Sequence, residues 1–137
     1  MATYKIADIE GIGPAYAEKL KKAGVRSVNA LLNAACTRKG RKQLSEKSGI
    51  DETLILKWVN FADLYRIKGV GSEYSELLEK AGVDTVKELA KRKPDNLYNK
   101  MAEVNSKKRA LVRQLPGMKI VQNWIEQAKK IGPKVTY

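Results

Sequence analysis

The chain says one thing twice. Ile9-Glu10-Gly11-Ile12-Gly13 returns as Ile67-Lys68-Gly69-Val70-Gly71, and a shift of 58 residues makes twelve of the 24 positions from 9 to 32 identical. The matches go beyond glycine: Tyr16, Glu18, Leu20, Lys22, Ala23-Gly24-Val25, Val28 and Leu31 recur as well. Agreement of turn, core and stop residues together is what a duplicated supersecondary unit preserves, and the stretch is too short and too few-fold for a solenoid. Each copy reads as a hydrophobic residue, a tight Gly-x-Gly turn, a helix and a Gly-Val stop.

Helix punctuation runs through the whole sequence, while alternating strand patterns are scarce. Pro14 suits the first turn of a helix that Gly24 ends. Ser27 and Thr37 are placed to cap two more helices, the second running toward Ser48 and stopped by Gly49. Asp51 caps an amphipathic helix carrying Leu54, Ile55, Trp58, Val59 and Ala62. In the second copy Ser72 opens a helix, Thr85 caps another, and Pro94 starts a third toward Val104. A last helix from about Lys119 to Ile131 carries Ile120, Val121, Trp124, Ile125 and Ala128. Trp58-Val59 matches Trp124-Ile125 at an offset of 66, so the eight extra residues fall near Ser106 to Lys119. The expected fold is all-α, with repeats at 1–66 and 67–131 packed as one domain and a flexible tail at 132–137.

Composition narrows the chemistry. With 43% hydrophobic residues the chain can bury a core, and no apolar run approaches the ~20 residues of a membrane span. Membrane insertion is therefore not expected. Met1 to Ile9 lacks the apolar stretch of a signal peptide. One cysteine, Cys36, allows no internal disulfide and fits a reducing compartment. It reads as a small core residue. Histidine is absent, which removes His-based catalysis and His-containing zinc sites. The expectation is a protein that is not an enzyme, uses no cofactor, and is cytoplasmic or nucleoid-associated.

The net charge of +12 points to a polyanionic partner. The charge is unevenly spread. Residues 9–32 carry a net +2 and their copy at 67–90 a net −2; residues 33–47 carry +4 and residues 91–119 carry +7. In the first copy Ala15, Lys19, Lys22 and Arg26 fall on one helix face. The same face of the second copy reads Glu73, Leu77, Lys80 and Asp84.

Hydrophobic-x-Gly-hydrophobic-Gly before a helix resembles the helix-hairpin-helix motif in both copies. Glycine permits positive φ and close approach, so Gly11 with Gly13, and Gly69 with Gly71, suit a tight hairpin. Ile12 and Val70 would anchor it. Free N–H groups at the start of the next helix can hold a phosphate without any base being read.

From Ile9 to Leu32, through Arg38-Lys39-Gly40-Arg41-Lys42 and Lys57-Trp58-Val59-Asn60, and again at Arg66 to Gly71 and Asn123 to Ala128, the chain resembles the domain of unknown function 4332 family. That resemblance implies a fold and no established activity. The residues expected at a nucleic-acid site are the two hairpins (Gly11, Ile12, Gly13, Ala15; Lys68, Gly69, Val70, Gly71), the stripe Lys19 and Lys22, and the clusters Arg38, Lys39, Arg41, Lys42 and Lys107, Lys108, Arg109, Arg113. DNA is favoured over RNA.

A protein-docking or assembly module steered by charge is the competing expectation. A helix-turn-helix over Arg41 to Trp58 fits poorly, since its would-be recognition helix opens with Asp51-Glu52. Gly-x-Gly without a following Lys-Ser/Thr makes no nucleotide loop. Tyr16, Tyr74, Trp58 and Trp124 read as core residues.

Overall fold

In the computed structural model, which describes residues 6–9, 11–106, 112 and 114–136, the helices begin and end where the punctuation puts them. A 3-10 turn at Ile6–Asp8 precedes α1 (Pro14–Lys22), α2 (Val28–Ala35), α3 (Arg38–Ser48) and α4 (Glu52–Leu64). Then follow α5 (Ser72–Lys80), α6 (Val86–Ala90), α7 (Pro94–Asn105) and α8 (Met118–Ile131). Among the described residues there is no strand, so the fold is all-α. The Ser27 and Thr85 hydroxyls accept from the amides of Ala30 and Glu88 at 3.0 and 3.2 Å, satisfying first-turn donors. Thr37 does the same for Gly40 at 3.0 Å, and the Asp51 carboxylate accepts from Thr53 at 2.8 Å.

The chain divides into two units, Met1–Asp63 with Val135–Tyr137, and Leu64–Lys134. Each opens with the same turn. The Ile12 amide donates to Ile9 at 3.1 Å and the Val70 amide to Ile67 at 3.1 Å, closing four-residue turns. The third residue of each is a glycine with φ of +92° (Gly11) or +97° (Gly69), a left-handed conformation that disfavours a side chain there.

Both α1 and α5 then end alike. Val25 donates to Leu20 and Val83 to Leu78 at 2.8 Å, while Gly24 donates to Lys21 and Gly82 to Glu79 at 3.0 Å. That pair of bonds around a left-handed glycine is the Schellman motif. The duplication seen in letters is thus a duplication of hydrogen bonds.

What seals each unit is an indole. Trp58 of α4 and Trp124 of α8 are both about 1% exposed. Tyr16 meets Trp58 edge-on at 5.1 Å and 61°, and Tyr74 meets Trp124 at 5.3 Å and 57°. The tyrosines are half-buried rather than true core residues. In the second unit Trp124 belongs to a core with Val70, Leu77, Leu78, Leu89, Leu97, Met101 and Val121.

Four further expectations need correction. Gly13 and Gly71 do not use positive φ; at −89° and −108° they are extended N-cap residues. Ile120 is 50% exposed, so the buried face of α8 starts at Val121. Cys36 is half-buried at the end of α2 rather than a core residue. Within the expected tail two residues are held: Val135 is buried, and the Thr136 amide donates to Cys36 at 2.8 Å.

The units diverge between their third and fourth helices, where residues 49–51 join α3 to α4 but residues 106–117 join α7 to α8. The Asn105 amide clasps Val112 there, donating to its carbonyl and accepting from its N–H, both at 3.1 Å.

Glycine substitutions test this packing. A Cβ on Gly40 would lie 2.1 Å from the Ala34 carbonyl oxygen. Helix propensity favours alanine by about 1 kcal/mol, yet the clash with backbone should outweigh it, for a net loss of about 2 kcal/mol. Gly11→Ala and Gly69→Ala should each cost about 1–2 kcal/mol from their positive φ. Gly13→Ala, with nothing within 4 Å of its Cβ, should cost less than about 1 kcal/mol. Urea midpoints at constant m measure all four.

Candidate nucleic-acid interface

The start of α1 is open. Gly13 offers no side-chain cap and Pro14 has no N–H, so the first free donors are the amides of Ala15 and Tyr16. Among the described residues neither donates to a protein acceptor, whereas the next amide, Ala17, is bonded to Gly13 at 3.0 Å. Ala15 is small and exposed, and no Cβ stands at Gly13, so backbone is reachable from outside. Lys19 and Lys22 are exposed along the same helix, and Lys19 Nζ lies 5.7 Å from the centre of the Tyr16 ring. A cation over an aromatic face is held by the ring quadrupole, which keeps this charge on the hairpin side of α1. Lys21 and Arg26 are exposed as well.

The start of α5 has the same backbone and different chemistry. Glu73 is exposed in its first turn, where a carboxylate favours the helix dipole and opposes a phosphate. Leu77, which replaces Lys19, is 0% exposed and packed in the core that includes Leu97 and Met101 of α7. The face that is a basic stripe in the first unit is interior in the second.

The tip of the turn differs too. The Lys68 amide donates to Gln127 Oε1 at 2.8 Å, and Gln127 Nε2 donates back to the Lys68 carbonyl at 3.2 Å and to Asn123 at 2.8 Å. The Lys68 side chain is exposed, but its peptide is already paired. Gln127 was not expected from the sequence. Its signal was only that an amide side chain stands where the first copy has Phe61 at the same offset.

The other expected residues separate. Ile12 and Val70 are buried and spend their amides inside the turns, so they anchor the turns from within. Gly11 and Gly69 shape the turns from exposed positions. Within the 38–42 run, Arg38, Lys39 and Lys42 are exposed, but Arg41 is 4% exposed. Its guanidinium donates to the carbonyls of Ala35 at 3.1 Å and Thr136 at 2.6 Å, so it is withdrawn from the surface. Lys107, Lys108, Arg109 and Arg113 lie outside the described residues.

Among the described residues no group of three His, Cys, Asp or Glu side chains is placed to hold a metal, and no helix is long and apolar enough to cross a membrane.

A family model described as a domain of unknown function (DUF4332) matches residues 10–131, and the chain belongs to that family. Among individual proteins, an adenylosuccinate synthetase of Trichlorobacter lovleyi is similar at 33% identity over 81 residues, which is 59% of this chain and 18% of that protein. The chain thus matches less than a fifth of that relative's length. No solved structure matches.

Gln127→Ala should release the Lys68 peptide. Hydrogen exchange at the Lys68 amide should quicken by about tenfold, with a stability loss of about 1 kcal/mol, since hydrogen bonds at a solvent edge exchange for bonds to water at little net cost.

Proposed function

We propose that this protein is a tandem helix-hairpin-helix module that binds nucleic acid, duplex DNA in preference to RNA, without reading sequence and without catalysis. The observation that carries the proposal is the open N-terminus of α1: two unspent amides behind an uncapped glycine, with exposed Lys19 and Lys22 on the helix that follows. Amides at the positive end of a helix suit a phosphate oxygen, and lysines within a few turns supply the attraction. Such contacts fix a backbone in place and carry no base information. Arg38, Lys39 and Lys42 add exposed charge in the same unit.

The proposal assigns the ligand to the first hairpin. At the second, Glu73 repels a phosphate, and Leu77 in the core leaves no room for a cation matching Lys19. The competing reading, an assembly module, is favoured by the exposed apolar Met118 and Ile120 at the start of α8. The two separate on binding to a labelled duplex at low salt, which the assembly module lacks.

Titration of a labelled mixed-sequence duplex by fluorescence anisotropy should give salt-sensitive binding. If roughly 3–6 phosphates are neutralised, log K against log salt should fall with a slope of about −3 to −5. Scrambling the duplex sequence should change little. Salt-independent binding, or strong sequence preference, contradicts the proposal.

Charge reversal distinguishes the hairpins. Lys19→Glu with Lys22→Glu should leave the fold intact, since both are exposed, while the salt slope becomes shallower by about 2 and affinity drops by about tenfold or more. Glu73→Lys should bind as well as the parent or better. If Lys68→Glu weakens binding more than the Lys19/Lys22 pair does, the second hairpin is the contact instead.

A further inference from the structure

The buried cation in the 38–42 run marks a joint at the α2–α3 corner of the first unit. α2 ends at Ala35 without a glycine cap, and only Cys36 and Thr37 separate it from α3. The last carbonyls of a helix have no partner of their own. Here the Ala35 carbonyl accepts from Arg41, and the Cys36 carbonyl accepts from the Thr136 amide, which comes from the far end of the chain. Arg41 then donates to the Thr136 carbonyl at 2.6 Å, so three hydrogen bonds close a ring through α2, α3 and the C-terminal segment. Val135, 5% exposed, anchors that segment, and Gly40 meets α2 with no space for a Cβ. The corresponding corner of the second unit is tied locally: Arg92 donates to Glu88 four residues before it and to the Gly82 carbonyl.

We propose that Val135 and Thr136 form a strap that fixes the α2–α3 corner and thereby positions the exposed Arg38, Lys39 and Lys42 for the polyanion. Only the last step rests on the nucleic-acid reading; the strap itself does not. The run's cations sit on the first turn and a half of α3, on either side of Arg41. Loosening Arg41 loosens the turn that carries all three. Arg41 is then a positioning residue: it acts through its neighbours and not on the ligand.

The test uses the full chain with Thr136→Pro, which deletes the N–H that serves Cys36, Thr136→Ser as a control that keeps it, and a chain lacking residues 135–137. Hydrogen exchange should quicken by about tenfold or more at Arg41 to Ser45 in the proline variant and the truncation, with α8 unchanged, because the opening is local. Duplex binding should weaken by about threefold or more with a shallower salt slope, and the serine control should match the parent. Unchanged exchange in α3 overturns the strap, whatever binding does. Loss of helical signal across both altered chains also overturns it, since the segment would then hold the whole fold and not one corner. If exchange quickens but the parent itself binds no duplex, the strap stands and the nucleic-acid reading falls. If the parent binds and quickened exchange leaves binding unaltered, the strap holds the corner but does not position the cations, and the proposal fails at that step.

Discussion

The contact on which each unit depends is a glycine turn lying against a tryptophan. A Cβ on Gly11 would come within 3.3 Å of Trp58 Nε1, and one on Gly69 within 3.3 Å of Trp124 Nε1. The glycine opens the unit and the tryptophan sits on its last helix, so this contact joins the beginning of each repeat to its end. Burying an indole is worth about 4–5 kcal/mol at ~25 cal/mol per Å2 over roughly 150–200 Å2. The tyrosine edge contact adds about 1 kcal/mol. Burial therefore supplies most of the stability, while the tyrosine ties the first turn of the following helix to the indole. With the turn closed and the helix aimed, the direction of the first free amides follows.

On that shared frame, single substitutions decide which hairpin keeps an open face. Leucine at 77 gains about 2–3 kcal/mol on full burial, whereas a lysine there would need its charge desolvated or its side chain displaced. Lysine at 19 stays in water. Once α5 gives that face to the core, no surface charge elsewhere on it restores a basic stripe. Glu73 moves the same way, spending the helix dipole on internal stability. The two turns share their hydrogen bonds and differ in what they have left to offer.

Much of the fold was legible because caps and stops are local. Ser27, Thr37, Asp51 and Thr85 act within three residues of themselves, and the Gly24 and Gly82 stops within five. The repeat made the two tryptophans equivalent before any contact was known. Less legible was whatever depends on distant chain. Arg41 in a run of cations looks like surface charge, and its bonds to Ala35 and to Thr136, 95 residues away, show that it is not. Gln127 reaches back 59 residues to Lys68 with nothing in its neighbours to announce it. Ile120 misled for a simpler reason: an apolar residue in the first turn of a helix fits the periodic pattern whether or not anything lies opposite.

Charge counting misleads for the same reason, and geometry corrects it. At physiological salt a charge acts strongly only within about 8 Å. At ~1.5 Å rise per residue, Lys19 lies about 6 Å along α1 from Ala15 and Lys22 about 10 Å. These two are within, or close to, screening range of a phosphate at the Ala15 and Tyr16 amides whatever the rest of the chain does, because one helix carries them all. The net +12 of the whole chain is a weaker argument, since distant charge is screened and Arg41 is spent on carbonyls. A short basic stripe on the helix that also presents the free amides is what makes the first hairpin the better candidate. Its copy, with the same turn and a leucine in the stripe, gives the comparison within one chain.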